Sequence, residues 1–182
     1  MHQRLTPKIT VDRLLVLYKY DKEKGIITQA KIGNKVQRRI LPHPDSGDVV
    51  VYDPDNRVRQ RFLFRHLAYV LGSQQDIPDD KRVLCHDLND ENIVFRNLKL
   101  VDKSVYRDIQ IALRNLEGDM KIIQHPVDKH AYKLIWREYK MFRSAVHYDI
   151  ANAEQDLNRR ALELVKFVNH HIVSNWKEIN EN

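Results

Sequence analysis

Cysteine is almost absent from this chain, with one residue in 182, and long apolar runs are missing altogether. A single cysteine excludes an internal disulfide framework and is typical of a reducing cytosol. No apolar run approaches the roughly 20 residues that a membrane-spanning helix needs, and the N-terminus lacks the apolar segment of a signal peptide. The sequence therefore predicts a soluble, cytoplasmic protein with no membrane partner.

Acidic side chains are in deficit, but the deficit is small. The chain has 31 basic and 25 acidic residues, a net charge of +6. Residues 1–112 carry 20 basic and 15 acidic side chains, residues 113–147 carry 7 and 4, and residues 148–182 carry 4 and 6. This excess is compatible with nucleic acid binding, while the last segment, at −2, is not expected to face phosphate.

The N-terminal third alternates helix and strand signals. Residues 10–19 read as a short helix with Thr10 as N-cap. A turn at residues 20–25 ends in Gly25 and leads to a strand at 26–28. Residues 47–52 and 57–62 read as two strands joined by a turn at 53–56.

Arginines recur through the basic stretch that contains these two strands. Arg57, Arg59 and Arg61 alternate, so they are expected on one face of the sheet, where they could follow phosphates or simply be solvated. A helix is expected to follow at residues 64–72. The candidate DNA contacts of this part of the chain are Arg38, Arg39, Arg57, Arg59, Arg61 and Arg65.

Residues 82–100 carry the most specific pattern. Val83-Leu84 precede Cys85-His86, a polar loop follows, and Asn97 comes eleven residues after the histidine, in the run Asn97-Leu98-Lys99-Leu100. This layout resembles the HNH nucleases, whose ββα-metal core is a β-hairpin and a helix around one divalent ion. Tyr20-Asp21-x-x-x-Gly25, and Arg65-His66-Leu67-Ala68-Tyr69 followed by Gly72, resemble other segments of phage members, with the usual His-Arg order reversed.

The resemblance implies a chemistry and a partner. His86 would be the general base that activates water, and Asn97 would hold the hairpin through backbone hydrogen bonds. One Mg²⁺ or Mn²⁺ ion would stabilise the charge that develops on the phosphate. The substrate would be double-stranded DNA, in the cytoplasm of a bacterium or of a phage-infected host cell.

Two ligand positions depart from the family pattern. Cys85 stands where Asp or His is usual, and Tyr106 stands where the following helix carries Asn or His. Mg²⁺ requires hard oxygen ligands, which neither residue supplies well. Asp87, Asp102 or Asp108 could substitute, but each would require the ion to move. The candidate ligands are therefore Cys85, Asp87 and Tyr106, with the alternative that Cys85 is a small buried apolar residue and that the site holds no ion.

The C-terminal third predicts a helix at 103–116, strands at 120–124, 131–136 and 139–142, and a long helix from about 149. Three strands and a helix resemble the small DNA-binding domain of tyrosine integrases and ethylene-response factors, although a plain capping domain is the alternative. An apolar stripe from Ile150 to Ile179 on the long helix could also serve a homodimer or a host protein. His170 and His171 are expected at the surface. The candidate DNA contacts here are Lys121, Lys129, Lys133, Arg137, Lys140 and Arg143.

The expected fold class is α+β, with an HNH-like domain at 1–112 and a small three-stranded sheet backed by a long C-terminal helix at 113–182. Three functions are open. The first is a DNA-binding protein related to phage HNH homing endonucleases, with a degenerate metal site and a regulatory role. The second is an active metal-dependent nicking endonuclease. The third is a phage adaptor that binds a host protein.

Overall fold

A computed structural model describes residues 8–30 and 38–173. The chain is mixed α+β, as expected, and divides into two compact units between Asp102 and Lys103. The sequence pattern had predicted this boundary near residue 112, after the helix that follows the hairpin. Among the described helices, none is long and apolar enough to cross a membrane.

Within residues 8–30 and 38–102, the first unit consists of three antiparallel hairpins and two α-helices. Each hairpin forms its own two-stranded sheet. The elements in chain order are α1 (Val11–Leu17), β1 (Tyr18–Asp21), β2 (Ile26–Gln29), β3 (Asp48–Asp53), β4 (Val58–Leu63), α2 (Phe64–Ser73), β5 (Lys81–Cys85) and β6 (Leu98–Asp102).

Local sequence signals explain where the first elements begin and turn. The Thr10 side chain accepts a hydrogen bond from the Arg13 backbone N–H at 3.3 Å, so Thr10 caps α1 as expected. The β1–β2 turn ends at Gly25, whose φ of 63° lies in the left-handed region that glycine adopts without strain. Both features agree with the sequence prediction.

The core of the first unit lies between α1, α2 and the hairpins. Leu67 and Ala68 of α2 are fully buried, and they belong to one apolar cluster with Leu14, Ile27 and Val83. Because α2 contributes residues from almost its whole circumference, it forms the centre of this unit.

Over residues 103–173, the second unit is a three-stranded antiparallel sheet with two α-helices. The strand order is β7-β8-β9, and β8 is central. The elements are α3 (Lys103–Arg114), β7 (Lys121–Gln124), β8 (Tyr132–Glu138), β9 (Met141–His147) and α4 (Ile150–Val173).

The last strand is longer than expected, and its turn is displaced. The sequence pattern predicted a turn at Arg137-Glu138 and a strand that ended at residue 142. Instead Glu138 pairs with Met141 across a two-residue turn at Tyr139-Lys140, and β9 continues to His147. The turn is possible because Tyr139 adopts a left-handed φ of 54°.

The long C-terminal helix packs with the apolar stripe that the sequence predicts. Ala153, Val168 and Ile172 are buried, and Leu134 is buried at the centre of the sheet. Ile150 at the start of the stripe is exposed instead. The last two positions of the expected stripe, Trp176 and Ile179, lie outside the described residues.

Candidate functional site in the β5–β6 hairpin and two basic sheet faces

His86 directly follows β5 and enters the loop of the β5–β6 hairpin. Strands β5 and β6 pair from Lys81↔Asp102 to Cys85↔Leu98. One further hydrogen bond, from the His86 backbone N–H to the Asn97 carbonyl at 2.7 Å, extends the ladder beyond the strands. His86 is half-buried, and its backbone continues the strand pair by this one bond.

Asn97 holds the loop between the two strands. Its residue is 6% exposed, and its side chain makes three hydrogen bonds. The Oδ1 atom accepts from the Asp87 backbone N–H at 3.0 Å, while Nδ2 donates to Asp87 Oδ1 at 2.9 Å and to the Asn92 carbonyl at 2.6 Å. These contacts join two loop residues, Asp87 and Asn92, to one buried side chain directly before β6.

Asp87 turns its carboxylate into the loop. Beyond the bond from Asn97, Oδ1 accepts from the Asn89 backbone N–H at 2.9 Å and Oδ2 accepts from Asn92 Nδ2 at 2.6 Å. Partial burial acts to raise the pKa of Asp87, but the hydrogen bonds from Asn97 and Asn92 outweigh it and hold the pKa below its usual range. Both carboxylate oxygens therefore take part in building the loop. Beside it, Leu88 takes a left-handed φ of 61°, a conformation that L-residues other than glycine rarely adopt.

The loop is fastened to the β1–β2 turn. The Tyr20 hydroxyl donates to the Ile93 carbonyl, and the Phe95 backbone N–H donates to the Lys22 carbonyl at 2.9 Å. Gly25 allows this approach, since a Cβ there would lie 2.8 Å from the Val94 nitrogen.

The ring of Phe95 attaches the same loop to α2. It stacks on Tyr69 with ring centroids 6.0 Å apart and meets Tyr20 edge-on at 6.5 Å. Gly72 provides the space, because a Cβ at this position would lie 2.2 Å from Phe95 Cδ2. The β1–β2 turn and helix α2 therefore both meet this loop.

Cys85 does not suit a divalent ion. Its residue is 1% exposed within the apolar cluster, and burial followed by the nearby Asp90 carboxylate raises the pKa of the thiol to about 12. A protonated thiol is a poor metal ligand, and Mg²⁺ prefers oxygen donors in any case. Tyr106 is half-buried on α3, in the second unit. Across residues 8–30 and 38–173, no three His, Cys, Asp or Glu side chains cluster to hold an ion.

Arg65 is largely buried and bonds to the β5–β6 hairpin, although the sequence pattern had placed it among the DNA contacts. Its side chain is 10% exposed, Nε donates to the Val83 carbonyl at 3.1 Å, and a terminal guanidinium nitrogen pairs with Asp90. The neighbouring His66 is also enclosed: burial, and then the charges of Arg65 and Arg82, lower its pKa to about 4. His66 is therefore neutral at pH 7.

The outward face of β3–β4 is basic and partly aromatic. Val50 lies opposite Arg61, and Tyr52 lies opposite Arg59, whose guanidinium carbon is 5.4 Å from the centre of the Tyr52 ring. Tyr52 is 42% exposed, and neither it nor Val50 was among the sequence candidates. The run Val49-Val50-Val51-Tyr52 does not show which face is buried. In the structure β3 buries Val49 and Val51 and leaves Val50 and Tyr52 exposed.

Other arginines of the first unit do not lie in this row. Arg57 belongs to the turn before β4, with a left-handed φ of 52°, so the strand alternation does not apply to it. Arg38 and Arg39 are exposed, and Arg39 forms a bridge with Thr28 of β2. The expected row of three arginines on one face thus reduces to Arg59 and Arg61.

In the second unit, the sheet face opposite buried Leu134 carries exposed or half-buried basic, polar and apolar side chains. The pairings place Lys133 beside Val146, Ile135 beside Ser144, and Arg137 beside Phe142 on this face. The Arg137 guanidinium lies 4.7 Å from the centre of the Phe142 ring and also pairs with Asp119. The face consists of Lys121, Ile123, Lys133, Ile135, Arg137, Phe142, Ser144 and Val146.

Three predicted contacts lie elsewhere in this unit. Lys129 is exposed in the turn between β7 and β8. Arg143 is paired with Trp136, hence on the opposite face, and its Nε donates to Glu138 Oε2 at 2.5 Å. Lys140 occupies the turn, with its ammonium 5.6 Å from the centre of the Tyr139 ring. The surfaces available in the described chain are therefore a two-stranded face in one unit and a three-stranded face in the other.

Comparison with protein-family models, with curated proteins and with solved structures finds no match to this chain.

Proposed function

We propose that this protein binds double-stranded DNA, that it is related to the phage HNH homing endonucleases, and that it has a regulatory role in which its β5–β6 hairpin does not cut. The observation that carries the proposal is the outward face of the β7-β8-β9 sheet. There Lys121, Lys133 and Arg137 are arranged over adjacent strands, while α4 covers the other face.

The sheet face has the composition that DNA recognition requires. Its cations can pair with phosphates, which supply most of the affinity and orient the protein. Ser144 lies between Phe142 and Val146 on the same face, so a hydroxyl and apolar groups are available to base edges and thymine methyl groups. A strand pair or small sheet fits the width of the major groove.

The β3–β4 face supplies a second basic surface in the other unit. Arg59 and Arg61 are both exposed there, on a strand pair that is itself narrow enough for a groove. Arg61 keeps an ion pair with Asp48 at 3.6 Å, but its side chain remains 72% exposed. Surface pairs of this kind are weak, so a phosphate can compete with the carboxylate.

The chemistry of the hairpin supports binding without cleavage. The position that should supply a hard ligand holds the protonated thiol of Cys85. Asp87 uses both carboxylate oxygens within the loop. The residues present do not fit a Mg²⁺-class ion, so no reaction step through a metal is assigned to this protein.

A nicking assay on supercoiled plasmid tests whether this protein cleaves DNA. The purified protein is incubated with plasmid and Mg²⁺ or Mn²⁺, beside His86→Ala. We expect intact plasmid with both proteins. Nicking by the native chain that disappears in His86→Ala would instead establish the active endonuclease and overturn this part of the proposal.

Fluorescence anisotropy with labelled duplexes tests DNA binding. We expect salt-dependent binding that weakens in Lys121→Gln/Lys133→Gln, because removing one phosphate contact reduces the slope of log K against log salt by about 0.9. Lys166→Gln/Arg114→Gln removes the same charge from exposed positions on α4 and α3 and should leave the slope unchanged. If the native chain shows no salt-dependent binding, DNA is not the ligand and the adaptor function is favoured.

A further inference from the structure

We propose that two copies of this chain associate through the outer edge of β9, paired antiparallel about Ser144, to form one six-stranded sheet. The inference rests on the edge of the sheet alone and does not require DNA. It also differs from the dimer that the sequence suggested, which used the long helix.

Strand β9 is an unprotected edge. In the described part of the chain it pairs only with β8, while the other edge strand, β7, has four residues against seven in β9. Proteins usually protect sheet edges with proline, with bulges, with charged residues or by keeping the strand short. Strand β9 has no proline, it pairs with β8 in unbroken register, and its single Arg or Lys side chain, Arg143, is bonded to Glu138.

The edge also exposes large apolar side chains. Met141 is 57% exposed, Phe142 55% and Val146 48%. Such a run on the outermost strand is the usual mark of a surface that pairs with another chain.

The hydrogen-bonding groups of β9 face outward at alternate residues. Because the two-residue turn closes on the pair Glu138↔Met141, the backbone groups of Met141 and Arg143 point toward β8. Alternation then places those of Phe142, Ser144 and Val146 on the free edge. These three residues can each give one N–H and one C=O to a neighbouring strand.

The side-chain order of β9 is self-complementary about Ser144. In an antiparallel pair centred there, Ser144 faces Ser144 of the second copy, and Phe142 faces Val146 of the second copy. Aromatic and β-branched residues form favourable cross-strand pairs. On the opposite face Arg143 meets Ala145, so no like charges are opposed.

The size of this edge sets the expected strength. Seven strand residues bury less than the roughly 1,600 Å² of a standard stable interface. We therefore expect a reversible dimer that forms at high concentration. In this dimer the outward sheet faces of the two copies form one continuous surface.

Sedimentation of the full chain tests the proposal. The native protein is expected to show a monomer–dimer equilibrium. Val146→Lys should weaken dimerisation about tenfold or more, because it replaces the Phe–Val pair with a charge. Leu162→Lys makes the matched change at an exposed apolar position of α4 and should leave the equilibrium unchanged.

Ser144→Pro gives a second, independent variant. Proline removes an N–H that faces the free edge, so the β8–β9 hydrogen bonds remain and circular dichroism should be native-like. Dimerisation is expected to disappear. A nitroxide on Ser144→Cys should show strong spin–spin coupling, since paired Cα atoms in such a ladder lie about 5.5 Å apart.

Three results would overturn the inference. One is a native chain that sediments as a monomer at every concentration. Another is a dimer that persists in both β9 variants but disappears in Leu162→Lys, since the interface would then lie on α4. The third is a dimer without spin coupling at position 144.

Discussion

At the scale of single residues, Asn97 links both strands of the hairpin to its loop. Three of its hydrogen bonds involve the backbone or side chains of Asp87 and Asn92. Because Asn97 is buried, its removal would leave an N–H and a carbonyl of the loop without their partner.

Asn97→Ala should destabilise the first unit by about 2–3 kcal/mol. Tryptophan fluorescence would not report on this unit, because both tryptophans, Trp136 and Trp176, lie beyond residue 102. Amide hydrogen exchange of β5 and β6 is therefore the suitable measurement. Asn89→Ala, an exposed loop asparagine with one side-chain acceptor bond, should cost under about 1 kcal/mol. Equal effects of the two variants would contradict the role given to Asn97.

His66 makes stability dependent on pH. Its pKa is lowered from 6.5 to about 4 in the folded chain, so the unfolded chain binds the proton more readily. The contribution of His66 is fully present above pH 6.5 and declines as the pH falls toward 4, on the order of 3 kcal/mol across this window. Denaturant unfolding, followed by circular dichroism, should show that the free energy of unfolding depends less steeply on pH in His66→Gln than in the native chain. His43→Gln removes an exposed histidine and is the matched control, expected to behave as the native chain.

At the scale of elements, hairpins and helices with local signals could be predicted. Thr10 marked the start of α1, Gly25 marked a turn, and apolar spacing marked α2 and α4. The position of the turn between β8 and β9 could not be predicted, because the left-handed conformation of Tyr139 has no recognisable signal in the sequence.

At the candidate site, prediction was limited by contacts between residues far apart in the sequence. Asn97 could be placed, because its pattern lies within one hairpin. The burial of Arg65 could not, since it depends on Asp90, 25 residues further along the chain. Tyr52 was missed because its exposure depends on which face of β3–β4 packs on the core.

Gly72 tests how α2 and the loop fit together. Glycine to alanine in a helix normally stabilises by about 1 kcal/mol. Gly72→Ala should instead destabilise by about 1–3 kcal/mol, because its Cβ would overlap the Phe95 ring. In the double variant with Phe95→Ala, the alanine at position 72 should cost little, which a double-mutant cycle by hydrogen exchange would measure. Additive effects would show that the two positions do not interact.

At the scale of the whole molecule, the net charge of +6 is too small to locate the proposed DNA-binding surface, and the distribution of the charge matters more. The loop that follows His86 is acidic, with Asp87, Asp90 and Glu91, whereas β4 carries Arg59 and Arg61 on an exposed face. Binding should accordingly depend on the strand faces and not on the hairpin loop.

Arg59→Gln/Arg61→Gln should lower the slope of log K against log salt by about 1.8, at about 0.9 for each phosphate contact. Lys24→Gln/Arg96→Gln removes two exposed cations elsewhere in the same unit and should not change the slope. Titration of a labelled duplex at several salt concentrations gives both values. An unchanged slope in the arginine variant would mean that this face is only solvated surface.

The way in which the hairpin loop is fastened bears on how such a protein can change over generations. Tyr20, Gly25, Gly72 and Asn97 hold the loop in place, and none of them occupies a ligand position. Selection for a foldable chain is therefore expected to act on these four residues independently of the chemistry at the proposed ligand positions. Under the proposed relationship to the HNH nucleases, a lineage that lost catalysis at its ligand positions would still inherit an intact scaffold, free to be recruited for recognition alone.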